Sequence, residues 1–184
     1  MFTLEQILHI EDSIILVDGS VKGGHEFCYD GVFMEFTRSA PPSFYSKEDP
    51  FFPCNLLEKE FGEIYSASCG RNQPSVFAGR LGLDFPKSAS LCGQNSLSDN
   101  FKSSCFDALG FSLASSGDAD KIIVGCKSIP NPNHLALCLK AAAGELVFQE
   151  TPGWQEKSTK ICKSSPHQQS CQENVNRLVS DYGR

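Results

Sequence analysis

Residues 101–153 read FKSSCFDALGFSLASSGDADKIIVGCKSIPNPNHLALCLKAAAGELVFQETPG, and the fold class turns on how they are divided. Ser103 or Ser104 can accept from backbone N–H groups at a helix start, which predicts a helix from there through Ala114. Lys121–Cys126 contains the β-branched run Ile122-Ile123-Val124 and is predicted as a strand. His134–Leu139 is predicted as a second strand, although Ala141, Ala142 and Ala143 leave a helix open across the same stretch. Glu145–Glu150 is predicted as a third strand, reached through a turn at Gly144. One helix followed by three strands gives an α+β domain, with a small antiparallel sheet packed against a few helices.

Upstream, Leu4, Ile7 and Leu8 have helical spacing, residues 13–17 read as a strand, and residues 25–37 read as a hairpin around Asp30-Gly31. Residues 39–53 carry four prolines and several aromatics, the composition of a long ordered loop. Asn55 is expected to cap a helix running to Tyr65, with Leu56, Leu57, Phe61 and Ile64 on its inner face. Residues 66–97 are rich in Ser and Gly and give no clear pattern. The polar segment 154–184 is expected to close on a surface helix from Gln168 to Tyr182. No internal repeat or linker stands out, so residues 1–184 are read as one domain.

The 184 residues are 40% hydrophobic, with 14 Phe, and 21% charged, which is enough apolar material for a real core. The net charge is −6 and no three basic residues are consecutive. Binding to nucleic acid requires concentrated positive charge, so nucleic acid is not an expected partner. No apolar run is long enough to span a membrane. Met1–Ile10 includes Glu5 and lacks a basic start, so it does not read as a signal peptide.

Cysteines stand at 28, 54, 69, 92, 105, 126, 138, 162 and 171, an odd number with no Cys-x-x-Cys pair. Several lie in apolar runs, where a thiol packs as a small hydrophobe. On that basis a cytoplasmic location is favoured over secretion without a recognisable signal peptide. An oxidising compartment would favour three or four disulfides instead.

Most chemical motifs are missing. Gly19–Gly24 lacks the Gly-Lys-Ser/Thr that closes a phosphate loop, and there is no Gly-x-Ser-x-Gly elbow or His-Glu-x-x-His helix. Asp18, Glu26, Asp30 and Glu35 are expected to be solvated turn and edge carboxylates. His134-x3-Cys138 and His167-x3-Cys171 have the spacing of paired zinc ligands, but no Cys-x2–4-Cys knuckle accompanies them. No metal and no small-molecule cofactor is expected.

The order of residues in 101–153 also has a chemical reading. Cys105 in the first turn of a helix would have its thiol pKa lowered by the helix dipole. His134 on a neighbouring strand would act as base, and Gln149 or Glu150 would fix its tautomer. This order resembles the NlpC/P60 and CHAP branch of the papain-like cysteine hydrolases, which implies hydrolysis or transfer at amide or acyl bonds, including peptidoglycan peptides. The stretch His25-Glu-Phe-Cys-Tyr-Asp-Gly-Val-Phe is similar to the His strand of the permuted LRAT-like branch. That resemblance implies His25 as the partner of Cys105 and acyl transfer as the reaction. The rival reading is a non-catalytic protein-binding module (an inhibitor, immunity-type or effector protein). Its anchors would be Phe44, Tyr45, Phe51 and Phe52 of the proline-rich loop, together with Trp154.

Overall fold

A computed structural model describes residues 24–41, 44–45, 48–94 and 96–182, the side chains of residues 24–30 and of Ile64 excepted. Helices are α1 (Gly24–Ser39), α2 (Cys54–Phe61), α3 (Ser66–Gly79), α4 (Phe85–Cys92) and α5 (Asp99–Ala114). They continue as α6 (Ala119–Cys126), α7 (Pro132–Phe148), α8 (Trp154–Lys163) and α9 (Gln168–Asp181). A 3₁₀ turn, Gly62–Tyr65, joins α2 to α3.

There is no strand among the described residues, so the α+β expectation is corrected to all-α. The expected hairpin at 25–37 lies within α1, and the expected strands at 121–126, 134–139 and 145–150 lie in α6, in α7 and at the end of α7. The papain-like reading, which needs a sheet to carry its histidine, falls with the sheet. The expected strand at 13–17 and the helix near residues 3–10 lie outside the described residues.

The physical reason for each correction is local. Asp118 accepts from the Asp120 and Lys121 backbone N–H groups, and Ile122, Ile123 and Cys126 then share one buried face. That cap and the short amphipathic face outweigh the weak β preference of Ile and Val. Asn131 caps α7 in the same way, with Pro132 at the first helical position. α7 is buried on almost every side, so it lacks the polar stripe by which a surface helix is recognised.

All eight cysteines with described side chains are paired: Cys54–Cys69, Cys92–Cys105, Cys126–Cys138 and Cys162–Cys171. Each bond joins a short helix (α2, α4, α6 or α8) to the long helix that follows it (α3, α5, α7 or α9). Corresponding cysteines recur roughly every 35 residues, so the chain carries four copies of a stapled helical hairpin, the repeat that inspection of the sequence missed. The first copy is atypical. Cys54 opens its short helix, whereas Cys92 and Cys126 end theirs and Cys162 is next to last.

The long helices α1, α3, α5, α7 and α9 pack side by side in that order, and the short helices lie against them. A glycine sits at each of three successive contacts. A Cβ on Gly70 would stand 2.5 Å from the Phe101 carbonyl oxygen, one on Gly110 would be 2.9 Å from Ala141 Cβ, and one on Gly144 would be 2.9 Å from Leu178 Cδ1. Gly70 and Phe101 are both near helix starts, and Gly144 and Leu178 are both late in theirs, so neighbouring long helices run in the same sense. The core between the layers includes Phe77, Phe101, Phe106, Ile122, Leu139 and Leu146, all fully buried.

Candidate binding face

In each hairpin the half-cystine of the long helix points toward its short helix. Two residues further on, about 200° around the helix, a side chain points away from the short-helix layer. That position holds Arg71 in α3, Asp107 in α5, Lys140 in α7 and Glu173 in α9. One register position of the repeat thus draws a row of alternating charge across the free face of the long-helix layer.

The middle of the row is compact. Burial pushes the Asp107 carboxyl up from the ordinary 3.8, while Lys140 and Arg71 draw it down, so both neighbouring rungs act on it. Glu173 is exposed and accepts from Gln169 Nε2 at 2.8 Å. Apolar side chains lie beside the charges. Phe111, one turn after Asp107, is 39% exposed, and Leu137, one turn before Lys140, is half-buried.

Between α7 and α9 the face dips into a groove of about 230 Å³ lined by Asn133, Ala136, Leu137, Lys140, His167 and Ser170. His167 Nε2 lies 3.0 Å from Asn133 Oδ1 and closes one end. A shallower depression of about 500 Å³ shares His167 and Ser170 and reaches Glu173. Together they form a trough with Lys140 on one side and Glu173 on the other.

The residues expected from the sequence fall elsewhere. Cys105 is fully buried and its Sγ is bonded to Cys92, so that position carries a disulfide sulfur and no thiol. His134 is in the first turn of α7 and stacks on Phe106, with ring centroids 4.3 Å apart. Desolvation lowers its pKa from the ordinary 6.5, Lys102 lowers it further, and Asp99 opposes both. Gln149 and Glu150 follow the other end of α7, roughly 20 Å along the axis from His134. Gln149 Nε2 donates to Glu145 Oε1 at 2.6 Å. The His25 side chain lies outside the described residues. Cys138 and Cys171, of the two His-x3-Cys pairs, are both in disulfides.

The expected aromatic anchors are divided. Tyr45 and Phe51 are buried, Phe52 and Trp154 are half-buried, and Phe44 is 46% exposed. Phe51 meets Phe77 and Phe101 edge-on, and the Tyr45 hydroxyl donates to the Phe36 carbonyl at 3.2 Å. Most of this cluster holds the loop onto the core. Burial also raises the Tyr45 pKa, with Arg80 opposing it.

Sequence reasoning missed Arg71, Asp107, Lys140 and Glu173. The signal for them was the recurring cysteine followed two positions later by a charge of alternating sign. No family model, curated protein or solved structure matches the chain.

Proposed function

We propose that this chain is a non-catalytic recognition module that binds a protein or peptide partner across the free face of its long helices. The observation that carries this reading is the charge row Arg71–Asp107–Lys140–Glu173, set beside Phe111, Leu137 and the α7–α9 trough. Stacked helical repeats provide extended, preorganised surfaces, and a rigid surface loses little entropy on binding. Mixed charge with interspersed apolar groups is the composition of a protein interface. Four disulfides support an oxidising compartment, such as a secreted or lumenal setting. Among the described residues, no helix is long and apolar enough to cross a membrane.

A display selection of random peptides on the oxidised protein tests the proposal. Selected peptides are expected to lose tenfold or more in affinity on Lys140→Ala or Phe111→Ser. They are expected to keep their affinity on Val124→Ser, a change at an exposed site on the short helix α6. Failure to enrich any peptide, or equal loss on all three variants, overturns the assignment.

A further inference from the structure

The charge row has a spacing as well as a sign pattern. Helices in contact through small residues have axes about 8–10 Å apart. Gly70 meets the Phe101 backbone and Gly110 meets the Cys138 backbone and Ala141, so the α3–α5 and α5–α7 contacts are of this kind, while at the α7–α9 contact Gly144 faces the Leu178 and Asn174 side chains. A peptide in the extended polyproline II conformation has three residues per turn and advances about 3.1 Å per residue, so every third side chain returns to the same face about 9 Å on, close to one rung of the row.

We infer that the free face selects an extended peptide segment whose charges alternate in sign at every third residue, in the pattern acidic-x-x-basic-x-x-acidic-x-x-basic. Read from α3 to α9, the acidic positions lie over Arg71 and Lys140 and the basic positions over Asp107 and Glu173. The intervening residues reach Phe111 and Leu137, and the residues around the second acidic position enter the groove between α7 and α9. Asp107 is the rung that gives the face its discrimination. Two cations flank it, so a partner carrying an unbroken acidic run would meet a like charge there. The inference deepens the recognition reading and rests on it.

Two synthetic peptides of identical composition provide the test. One carries Glu-Ser-Thr-Lys-Ser-Thr-Glu-Ser-Thr-Lys and the other Glu-Ser-Thr-Glu-Ser-Thr-Lys-Ser-Thr-Lys, each labelled and titrated by fluorescence anisotropy in low salt. The alternating peptide is expected to bind the oxidised protein about tenfold more tightly, because two charge pairs change from attraction to repulsion between the two peptides. The preference is expected to shrink in 0.5 M salt, where the screening length falls well below 10 Å. Exchanging two rungs, Asp107→Lys with Lys140→Asp, turns the row into two positive then two negative positions and is expected to invert the preference. If that double variant does not fold, the single Lys140→Gln change serves instead, with the preference for the alternating peptide expected to fall about threefold, because the residue over Lys140 differs in sign between the two peptides. Equal affinities for the two peptides, or a preference that survives these substitutions, overturns the inference. Peptides from the random selection that lack the alternating pattern, yet still depend on Lys140 and Phe111, would overturn the spacing rule and leave the recognition reading standing.

Discussion

Gly110 of α5 lies directly against the carbonyl of Cys138 in α7, and an added Cβ would also stand 2.9 Å from Ala141 Cβ. The backbone of one helix and a packed alanine cannot yield as a flexible side chain would. Gly110→Ala is therefore expected to destabilise the protein by about 2 kcal/mol, despite the better helix propensity of alanine. Gly79→Ala at the end of α3 is the matched control. Nothing lies within 4 Å of its Cβ, and it is expected to be neutral or slightly stabilising. Thermal melts of the two variants check both expectations.

The paired cysteines predict the response to reductant. Intact mass should rise by about 8 Da on full reduction, two hydrogens for each of the four bonds. Iodoacetamide applied to the native protein should leave Cys105 unlabelled, since its sulfur is bonded and buried. Replacing Cys92 and Cys105 together by Ala is expected to cost about 3 kcal/mol in denaturant unfolding, the scale for closing a short loop.

His134 sets a pH dependence. Its folded pKa lies below the ordinary 6.5, because partial burial and Lys102 disfavour the imidazolium. A depressed folded pKa gives a stabilising contribution that is fully present above 6.5 and is lost as pH falls through the folded value. His134→Gln should flatten stability against pH on the acid side of 6.5, measured by urea unfolding across a pH series. Unchanged pH dependence in this variant would falsify the assignment.

Asp107 acts with the opposite sign. Its folded pKa is raised above 3.8, chiefly by desolvation, so the fold favours the protonated acid. The associated stability is present below 3.8 and is lost as pH rises through the folded value. Asp107→Asn is therefore expected to gain stability relative to the parent as pH rises to neutral, with the difference shrinking toward low pH. Melts at acid and neutral pH check this, and the same variant should weaken discrimination between the two charged peptides.

A buried hydroxyl ties α8 to α7. Ser158 Oγ donates to the Ala143 carbonyl at 3.0 Å with no solvent access. Ser158→Ala is expected to lose about 1 kcal/mol, read as a lower midpoint in urea.

The sequence showed some elements clearly. The helix expected over Asn55–Tyr65 is met in place by α2 and the 3₁₀ turn, but it opens at Cys54 after Pro53 without a cap from Asn55, and Leu56 and Phe61 are exposed while Leu57 is buried. The helix from Gln168 is met by α9, whose polar face exposes the helical period. Among the described residues between α1 and α2 there is no α-helix or strand, in line with the prolines of that stretch, although Ser39 belongs to α1. α6 and α7 were misread for related reasons. Ile122-Ile123-Val124 in an eight-residue helix shows too few turns for a period to emerge, and α7 is enclosed by neighbours on nearly all sides. Residues 66–97 hid two helices, since Ser88 and Gln73 are buried polar residues and Gly70 is a contact residue, none of which signals a core by hydropathy. The charge row was hidden because its members are roughly 35 residues apart, and only the cysteine register aligns them.

That register also fixes the order in which the chain can be oxidised. From Cys54 onward, each cysteine bonds to the next one in sequence, and no bond reaches across to another hairpin. Eight cysteines admit 105 pairings, and this is the one in which every cysteine bonds its sequence neighbour, 9 to 15 residues away. A hairpin can close its own bond as soon as it leaves the ribosome or a membrane pore, before the next pair of thiols exists to compete. The same locality decides what a protease can release. A cut between Cys92 and Cys105 leaves the two pieces covalently joined, whereas a cut between α5 and α6 crosses no disulfide and parts the chain in two.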